Sequence, residues 1–192
     1  MKILFLSSEA TGLIKTGGLA DVARALPLAL RQKGHDVRLV LPNYLSIART
    51  KNYSTAVSSL GVSMGNSELF CAVQQTELEQ LPVYLIEYND FFLRSHPYED
   101  VAGNPHPDNG ERFGFFCKAA LQLCLAENFI PDIVHVNDWQ GALACLYLHQ
   151  YRTTYSEFAG TRSLMTIHNG GYQGYCSASA RSFLEIGDDW FR

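Results

Sequence analysis

The fold is decided by residues 2–41, which read KILFLSSEATGLIKTGGLADVARALPLALRQKGHDVRLVL. The apolar run from Lys2 to Ser8 is typical of a buried parallel strand, and a loop with three glycines follows it over residues 9–18. Apolar residues then recur in steps of three and four from Leu19 to about Lys33, which predicts a helix. A second strand is predicted at Asp36–Leu41. Strand, glycine loop, helix and strand together form a βαβ unit.

Outside that unit, strands and helices continue to alternate. Further strands are predicted at Leu69–Gln75, Val83–Tyr88, Asp132–Val136 and Ser163–Ile167, and helices from about Asp108 to Cys124 and from Gln140 to about Tyr151. The first two of these strands could pair as a hairpin. Residues 43–65 predict no defined element, and residues 89–110 predict a long loop of the kind that is usually functional or mobile. The alternation predicts the α/β class, with a Rossmann-like, mainly parallel sheet and helices on both faces.

The helix that begins near Asp108 carries two sequence signals. Asp108 and Glu111 resemble a capping box at its start. Apolar side chains mark one face at helical spacing, namely Phe113, Phe116, Cys117, Ala120, Leu121 and Cys124. We therefore expect an amphipathic helix capped by Asp108.

The composition is that of one folded domain without a nucleic-acid or membrane partner. Of the 192 residues, 47% are hydrophobic and 18% are charged. Nineteen acidic and fifteen scattered basic residues give a net charge of -4, so bulk electrostatics favours neither nucleic acid nor a membrane surface. The longest apolar run is far shorter than the roughly 20 residues that a bilayer span needs.

The five cysteines form an odd set without a C-x-x-C pair, and we expect no presequence ahead of the first strand. This pattern predicts reduced, mostly buried thiols and a cytoplasmic protein. The histidines are dispersed, with no H-x-x-x-H pattern, so no metal site is predicted.

Three polar clusters follow predicted strands. They are Lys15-Thr16-Gly17-Gly18, Asn137-Asp138-Trp139-Gln140 and His168-Asn169-Gly170-Gly171. The ligand crevice of an open α/β sheet lies outside the carboxyl ends of its strands. We therefore expect all three clusters at one rim of the sheet.

The first cluster leads into a helix N-terminus, where free backbone N–H groups and the helix dipole favour an anion. Gly17 and Gly18 allow a ligand to approach the backbone, and Lys15 adds a mobile positive charge. The pattern matches neither G-x-G-x-x-G nor the P-loop. A plain turn from strand to helix is an equally weighted alternative.

The second and third clusters suggest sugar binding. Asp138 and Gln140 lie beside the indole of Trp139, and proteins hold sugars with such hydrogen-bonding groups and aromatic faces. Alternatively, Asp138 caps the following helix and Trp139 belongs to the core. His168 could be a general acid or base, or only a structural donor at a strand end.

Two classes of function remain open from the residues alone. No G-x-S-x-G occurs, which disfavours a serine hydrolase. The remaining classes are a transferase that acts on a phosphorylated sugar and a non-catalytic sugar- or nucleotide-binding module. The spacing of apolar residues does not distinguish these two classes.

Several spaced motifs resemble the bacterial glycogen synthase and plant starch synthase family, glycosyltransferase family 5. They are the opening KILFLSSEATGLIKTGGLADVARALPLAL, Pro97-Tyr98, Pro107-Asp108-Asn109 with Glu111-Arg112-Phe113, PDIVHVNDWQGALACLYL, and TIHNGGYQG from Thr166 to Gly174. Two departures stand out: Asn137 replaces a histidine usual in the family, and Gly170-Gly171 replaces Leu-Ala. The first could weaken a contact to a sugar, and the second could loosen the loop after His168.

The resemblance implies that residues 1–192 are the N-terminal half of a two-domain GT-B glycosyltransferase, and that the C-terminal nucleotide-binding domain is absent from this chain. The complete enzyme would move glucose from ADP-glucose to the nonreducing end of an α-1,4-glucan, with retention and with no cofactor or metal. The choice between an ADP and a UDP donor stays open, because the base contacts belong to the absent half. The isolated domain is expected to be inactive.

The resemblance also assigns site residues. The donor-binding candidates are Lys15, Gly17, Gly18, Asp21, His168 and Asn169. The acceptor-binding candidates are Tyr98, Asp138, Trp139 and Gln140. Of these, His168 and Asp138 are the catalytic candidates, with His168 supporting positive charge at the anomeric carbon.

Overall fold

The computed structural model describes residues 1–50 and 52–191; Lys51 and Arg192, which the predicted 1–192 domain includes, lie outside the described residues. The strands are β1 (Lys2–Leu6), β2 (Asp36–Pro42), β3 (Ser54–Met64), β4 (Ser67–Leu78), β5 (Leu81–Glu87), β6 (Ile133–Asn137) and β7 (Arg162–Thr166). The α-helices are α1 (Leu19–Gln32), α2 (Leu45–Thr50), α3 (Asn89–Phe92), α4 (Asn109–Ala126), α5 (Asp138–Thr154) and α6 (Ala180–Phe183). Short 3-10 helices lie at Ser156–Gly160 and Asp188–Phe191.

The strands form one sheet in the order β3-β4-β5-β2-β1-β6-β7. Strands β5, β2, β1, β6 and β7 are parallel, whereas β4 pairs antiparallel with both β3 and β5. The predicted α/β class with a mainly parallel sheet is confirmed, as is the hairpin of β4 and β5. Residues 43–65, for which no element is predicted, contain α2 and the whole of the edge strand β3.

The connections that follow β1 and β6 run in opposite directions across the sheet. β1 leads through α1 to β2 on one side, and β6 leads through α5 to β7 on the other. Because crossovers between parallel strands are right-handed, α1 and α5 cover opposite faces. The carboxyl ends of β1 and β6 therefore flank the point where a doubly wound sheet opens its ligand crevice.

Helix α4 is buried on nearly all sides. Phe113 and Phe115, which point in different directions around the helix, are both buried. Lys118 is only 4% exposed, and its ammonium pairs with Glu185, which follows α6. The prediction of a single apolar face is wrong, because the sheet, α5 and the segment around α6 enclose the helix.

Asp108 stands at the N-cap position of α4 but makes no side-chain hydrogen bond to the helix. Its carboxylate instead accepts two hydrogen bonds from the Arg94 guanidinium, at 2.7 and 2.5 Å. The predicted capping box is therefore wrong, because Arg94 binds both carboxylate oxygens.

The thiols are unpaired, as predicted. Cys71, Cys117 and Cys124 are buried, whereas Cys176 is exposed. Burial raises the pKa of Cys71 and of Cys124 to about 12, so both stay protonated at neutral pH.

The described helices give no candidate for a membrane span. Across residues 1–50 and 52–191, none of them combines the length and the apolar character that crossing a bilayer requires.

Candidate functional site

A cavity of about 600 Å³ opens at the carboxyl ends of β1 and β6. Four segments line it: residues after β1, the loop between α3 and α4, the start of α5 and the segment after β7. Seven predicted site residues belong to the lining, namely Gly17, Gly18, Tyr98, Asp138, Trp139, Gln140 and Asn169. The three polar clusters thus contribute to one rim, whereas Lys15, Asp21 and His168 lie outside the cavity lining.

Residues 15–18, here called the glycine loop, form one wall of the cavity. A Cβ added to Gly17 or Gly18 would meet no atom within 4 Å, so both positions open onto free space. Gly18 is the N-cap residue of α1 and has no side chain to cap the helix. The helix start therefore leaves backbone N–H groups to bind a hydroxyl or an anion.

Lys15 is paired with Asp21 rather than free. Its ammonium lies 2.7 Å from both carboxylate oxygens of Asp21, and Thr11 donates a further hydrogen bond to one of them. The hydrogen bonds from Lys15 and Thr11 lower the pKa of Asp21. The mobile charge expected at Lys15 is thus held, half exposed, beside the glycine loop.

Asp138 connects the ends of β6 and β7. Its Oδ1 accepts the backbone N–H of His168 at 2.6 Å and lies 3.4 Å from the backbone N of Asn169. Asn137, not Asp138, is the N-cap residue of α5, and no side chain caps that helix. The alternative in which Asp138 caps the helix is therefore wrong, because its carboxylate is bound to the loop after β7.

His168 is exposed, and the buried side chain of Asn137 holds its ring. Its Nε2 lies 3.0 Å from Oδ1 of Asn137, whose Nδ2 donates to the carbonyl of Leu6 at 2.9 Å. Asn137 is fully buried and does not line the cavity. The residue that departs from the family pattern thus orients His168 instead of facing a ligand.

Trp139 belongs to both the core and the cavity. Its ring meets Phe113 edge-on, with centroids 5.0 Å apart and planes at 82°. Gly174 lies against the indole with φ +67°, and a Cβ there would come within 2.4 Å of the ring. Trp139 therefore packs against the core and also lines the cavity, so both alternatives for it are correct.

Gln140 offers a hydrogen-bond acceptor at the cavity. The side chain is 7% exposed, and its Oε1 has no partner among the described residues. Buried polar atoms are normally satisfied. A ligand hydroxyl in the cavity could supply the missing donor.

The loop of residues 93–108 forms part of the cavity lining and is held by Arg112. This side chain is fully buried and donates to the carbonyls of Phe91 and Pro97 and to Oδ1 of Asn109. Burial lowers the pKa of Arg112 to about 10, so it remains charged at neutral pH. Tyr98 is thereby fixed at the cavity wall.

Sequence reasoning missed several cavity residues. Glu9 is 3% exposed and lines the cavity, as do His96, Tyr172 and Tyr175. Glu9 comes directly after the apolar run Lys2–Ser8 that predicts the first strand, and this position was the signal that could have identified it. The two tyrosines follow His168 in a segment without periodic pattern, so nothing local marked them.

The lining is acidic. It contains the carboxylates of Glu9, Glu99 and Asp138, and the described lining residues include neither Lys nor Arg. In the parts of the chain that the structure describes, no three His, Cys, Asp or Glu side chains group as metal ligands. The arrangement suits a neutral, hydroxyl-rich ligand with apolar faces.

Comparison with known proteins gives consistent matches. The model of the starch synthase catalytic domain family matches residues 2–192. A glycogen synthase of Aeromonas salmonicida is 46% identical over 175 residues, which are 91% of this chain and 36% of that protein. A glycogen synthase of Geotalea uraniireducens is 39% identical over 195 residues, which cover 100% of this chain and 40% of that protein.

A solved structure agrees with these matches. The catalytic domain of starch synthase IV from Arabidopsis thaliana, bound to ADP and acarbose, superposes with a TM-score of 0.83 at 29% identity. The match covers 98% of this chain and 38% of that one. The chain thus spans well under half the length of these relatives. Because the family model covers nearly all of the sequence, the chain belongs to the starch synthase catalytic domain family.

Proposed function

We propose that this chain is the acceptor-binding, N-terminal half of a retaining GT-B glycosyltransferase. With a second domain, it would transfer glucose from ADP-glucose to the nonreducing end of an α-1,4-glucan. The observation that carries this proposal is the cavity at the switch point of the sheet, which combines aromatic walls, carboxylate and amide acceptors and no described cation.

A glucan fits the chemistry of this cavity. Sugar hydroxyls donate hydrogen bonds, and the C–H faces of the ring pack on aromatic side chains. Asp138 and the unpaired Oε1 of Gln140 would accept from hydroxyls, while Trp139 and Tyr98 would contact the ring. These residues form the acceptor side of the proposed site.

The donor would lie nearer the glycine loop. The phosphates would lie against Gly17 and Gly18, where no side chain obstructs them, and would accept hydrogen bonds from N–H groups of the first turn of α1, with Lys15 at the edge. The N–H of Gly17 itself is bound by Glu9. Asp21 would receive a hydroxyl of the transferred glucose. One ammonium is too little positive charge for a diphosphate, so further cations must come from another domain. The relatives are long enough to supply one, because the chain covers only 36–40% of those compared above.

In the transfer step, the bond between the anomeric carbon and the diphosphate oxygen breaks and the acceptor hydroxyl oxygen forms the new bond. The acceptor hydroxyl passes its proton to the departing diphosphate, which leaves with the electron pair of the broken bond. His168 and Asn169, held by Asp138, would contact the donor glucose and support the positive charge at its anomeric carbon. No metal or other cofactor is needed in this scheme.

The names of the relatives support the choice of substrates. The Aeromonas and Geotalea proteins are glycogen synthases, and the Arabidopsis catalytic domain was bound to ADP. We infer an adenine nucleotide donor for this chain. The unpaired thiols fit the cytoplasm as the compartment.

Joining this chain to the unmatched part of the Aeromonas salmonicida glycogen synthase tests the proposal. We expect the folded product to incorporate glucose from ADP-glucose into glycogen and this chain alone to incorporate none. A folded chimera without activity would contradict the proposal. Calorimetry on residues 1–192 separates the alternative of a self-sufficient nucleotide-binding module, which requires tight ADP-glucose binding.

A further inference from the structure

Glu9 joins two walls of the cavity through one buried carboxylate. Its Oε2 accepts the backbone N–H groups of Thr16 and Gly17 at 2.5 and 3.1 Å. Its Oε1 accepts the hydroxyls of Thr16 and Tyr98 at 2.6 and 2.7 Å. Thr16 and Gly17 belong to the glycine loop, whereas Tyr98 belongs to the 93–108 loop. The carboxylate is therefore shared between the proposed donor and acceptor sides.

The residues before Glu9 fix it in turn. The Ser7 hydroxyl donates to the carbonyl of Glu9 at 2.7 Å and accepts its backbone N–H at 3.3 Å. The Ser8 hydroxyl lies 2.8 Å from that of Tyr98. Ser7, Ser8 and Glu9 thus form a hydrogen-bonded segment directly after β1.

Apart from the bonds to Glu9 and the pairing of Lys15 with Asp21, few contacts hold the glycine loop. Thr16, Gly17 and Gly18 are exposed, and no atom lies within 4 Å of a Cβ placed on either glycine. Side-chain packing therefore does not fix the two glycines. A loop that is ordered before binding avoids the entropy cost of ordering it on the ligand.

We propose that Glu9 is a positioning residue that holds the glycine loop and Tyr98 in one arrangement around the ligand. It acts through these groups and makes no contact with the ligand itself. The nature of that ligand rests on the proposed function, whereas the effect on the loop does not.

Two substitutions separate positioning from direct contact. Glu9→Leu removes all four acceptor interactions at similar volume. Glu9→Gln can keep an oxygen on the Thr16 and Gly17 N–H groups, while its NH₂ donates to the hydroxyls of Thr16 and Tyr98, which can also accept. Thr16→Val, at an exposed position, removes one donor and serves if Glu9→Leu does not fold.

The measurements are amide hydrogen exchange at Thr16 and Gly17 and the affinity of residues 1–192 for maltotriose. In Glu9→Leu we expect exchange to accelerate and maltotriose affinity to fall, each by about tenfold or more. In Glu9→Gln both should stay within about threefold of the wild type, and core amides of β1 should be unchanged in both variants. In Thr16→Val we expect faster exchange at Gly17, and wild-type exchange there would count against the proposal.

Two results would overturn the positioning role. One is unchanged exchange in Glu9→Leu. The other is a Glu9→Gln protein that loses affinity as Glu9→Leu does while its amides stay protected, because the charge would then act on the ligand directly. If the wild type does not bind maltotriose, the proposed function fails. The exchange rates alone then decide the role of Glu9.

Discussion

The carboxylate of Asp138 accepts the backbone N–H of His168 at 2.6 Å, across 30 positions of sequence. The two residues follow the neighbouring parallel strands β6 and β7. Asp138 adopts φ +54°, a left-handed conformation that is unfavourable for residues other than glycine, asparagine and aspartate. This contact sets the positions of the two catalytic candidates relative to each other.

The first prediction concerns this contact. Asp138→Ala removes a charged hydrogen bond and places alanine at a positive φ, so the free energy of unfolding should fall by about 2–4 kcal/mol. Asp138→Asn keeps an acceptor oxygen and a residue that tolerates this φ, and should cost less than about 1.5 kcal/mol. Urea denaturation measures both. Equal losses in the two variants would contradict the importance of the acceptor.

The sequence predicts the centre of the fold well, for a physical reason. β1, β2 and β6 are covered on both faces, so they appear as continuous apolar runs, and their observed ends lie close to the predicted ones. β3 lies at the edge of the sheet with many exposed positions. Its four serines and one threonine therefore interrupt any such run.

The site is less visible in the sequence, because it depends on contacts between distant segments. Gly17, Trp139 and Gln140 stand next to predicted strand or helix ends, where a polar cluster is informative. Glu9 has the same position, but its partner Tyr98 is 89 residues away. Likewise, the pairing of Lys15 with Asp21 follows from the geometry of the loop and not from a motif.

The second prediction concerns pH and the ion pair at the base of the 93–108 loop. Burial raises the pKa of Asp108, but the hydrogen bonds and charge of Arg94, together with a backbone hydrogen bond and the charge of Arg112, outweigh it, so the pKa lies below its ordinary value of 3.8. The ionised carboxylate therefore stabilises the fold above about pH 3.8, and this contribution is lost as the pH falls through the folded-state pKa.

Asp108→Asn should lower the free energy of unfolding at pH 7 by about 1 kcal/mol. The difference from the wild type should disappear as the pH falls through the folded-state pKa of Asp108, which lies below 3.8. Glu99→Gln, which changes an exposed carboxylate of the same loop, is the control. A difference that persists at low pH would show that the charge of Asp108 is not the cause.

The third prediction concerns Gly174 and the indole of Trp139. Gly174→Ala would place a Cβ within 2.4 Å of the ring and a side chain at φ +67°. We expect a loss of stability of at least about 1–2 kcal/mol from the backbone alone, and a shift in tryptophan fluorescence. Gly170→Ala is the matched control, because no atom lies within 4 Å of its Cβ position. Similar behaviour of the two variants would argue against the close packing of Gly174 on Trp139.

The last prediction separates a binding role of Lys15 from a surface role. Lys15 is about half exposed and paired with Asp21, so Lys15→Ala should leave thermal unfolding unchanged. If the ammonium meets the donor phosphate in the two-domain enzyme, removing this charge-assisted contact should lower kcat/KM roughly tenfold to a hundredfold. Lys33→Ala, at an exposed lysine that ends α1, is the control and should keep the wild-type rate. Steady-state kinetics with ADP-glucose and glycogen measure both variants in the chimera. An unchanged kcat/KM and donor KM in Lys15→Ala would remove the phosphate role and leave Lys15 as a surface partner of Asp21.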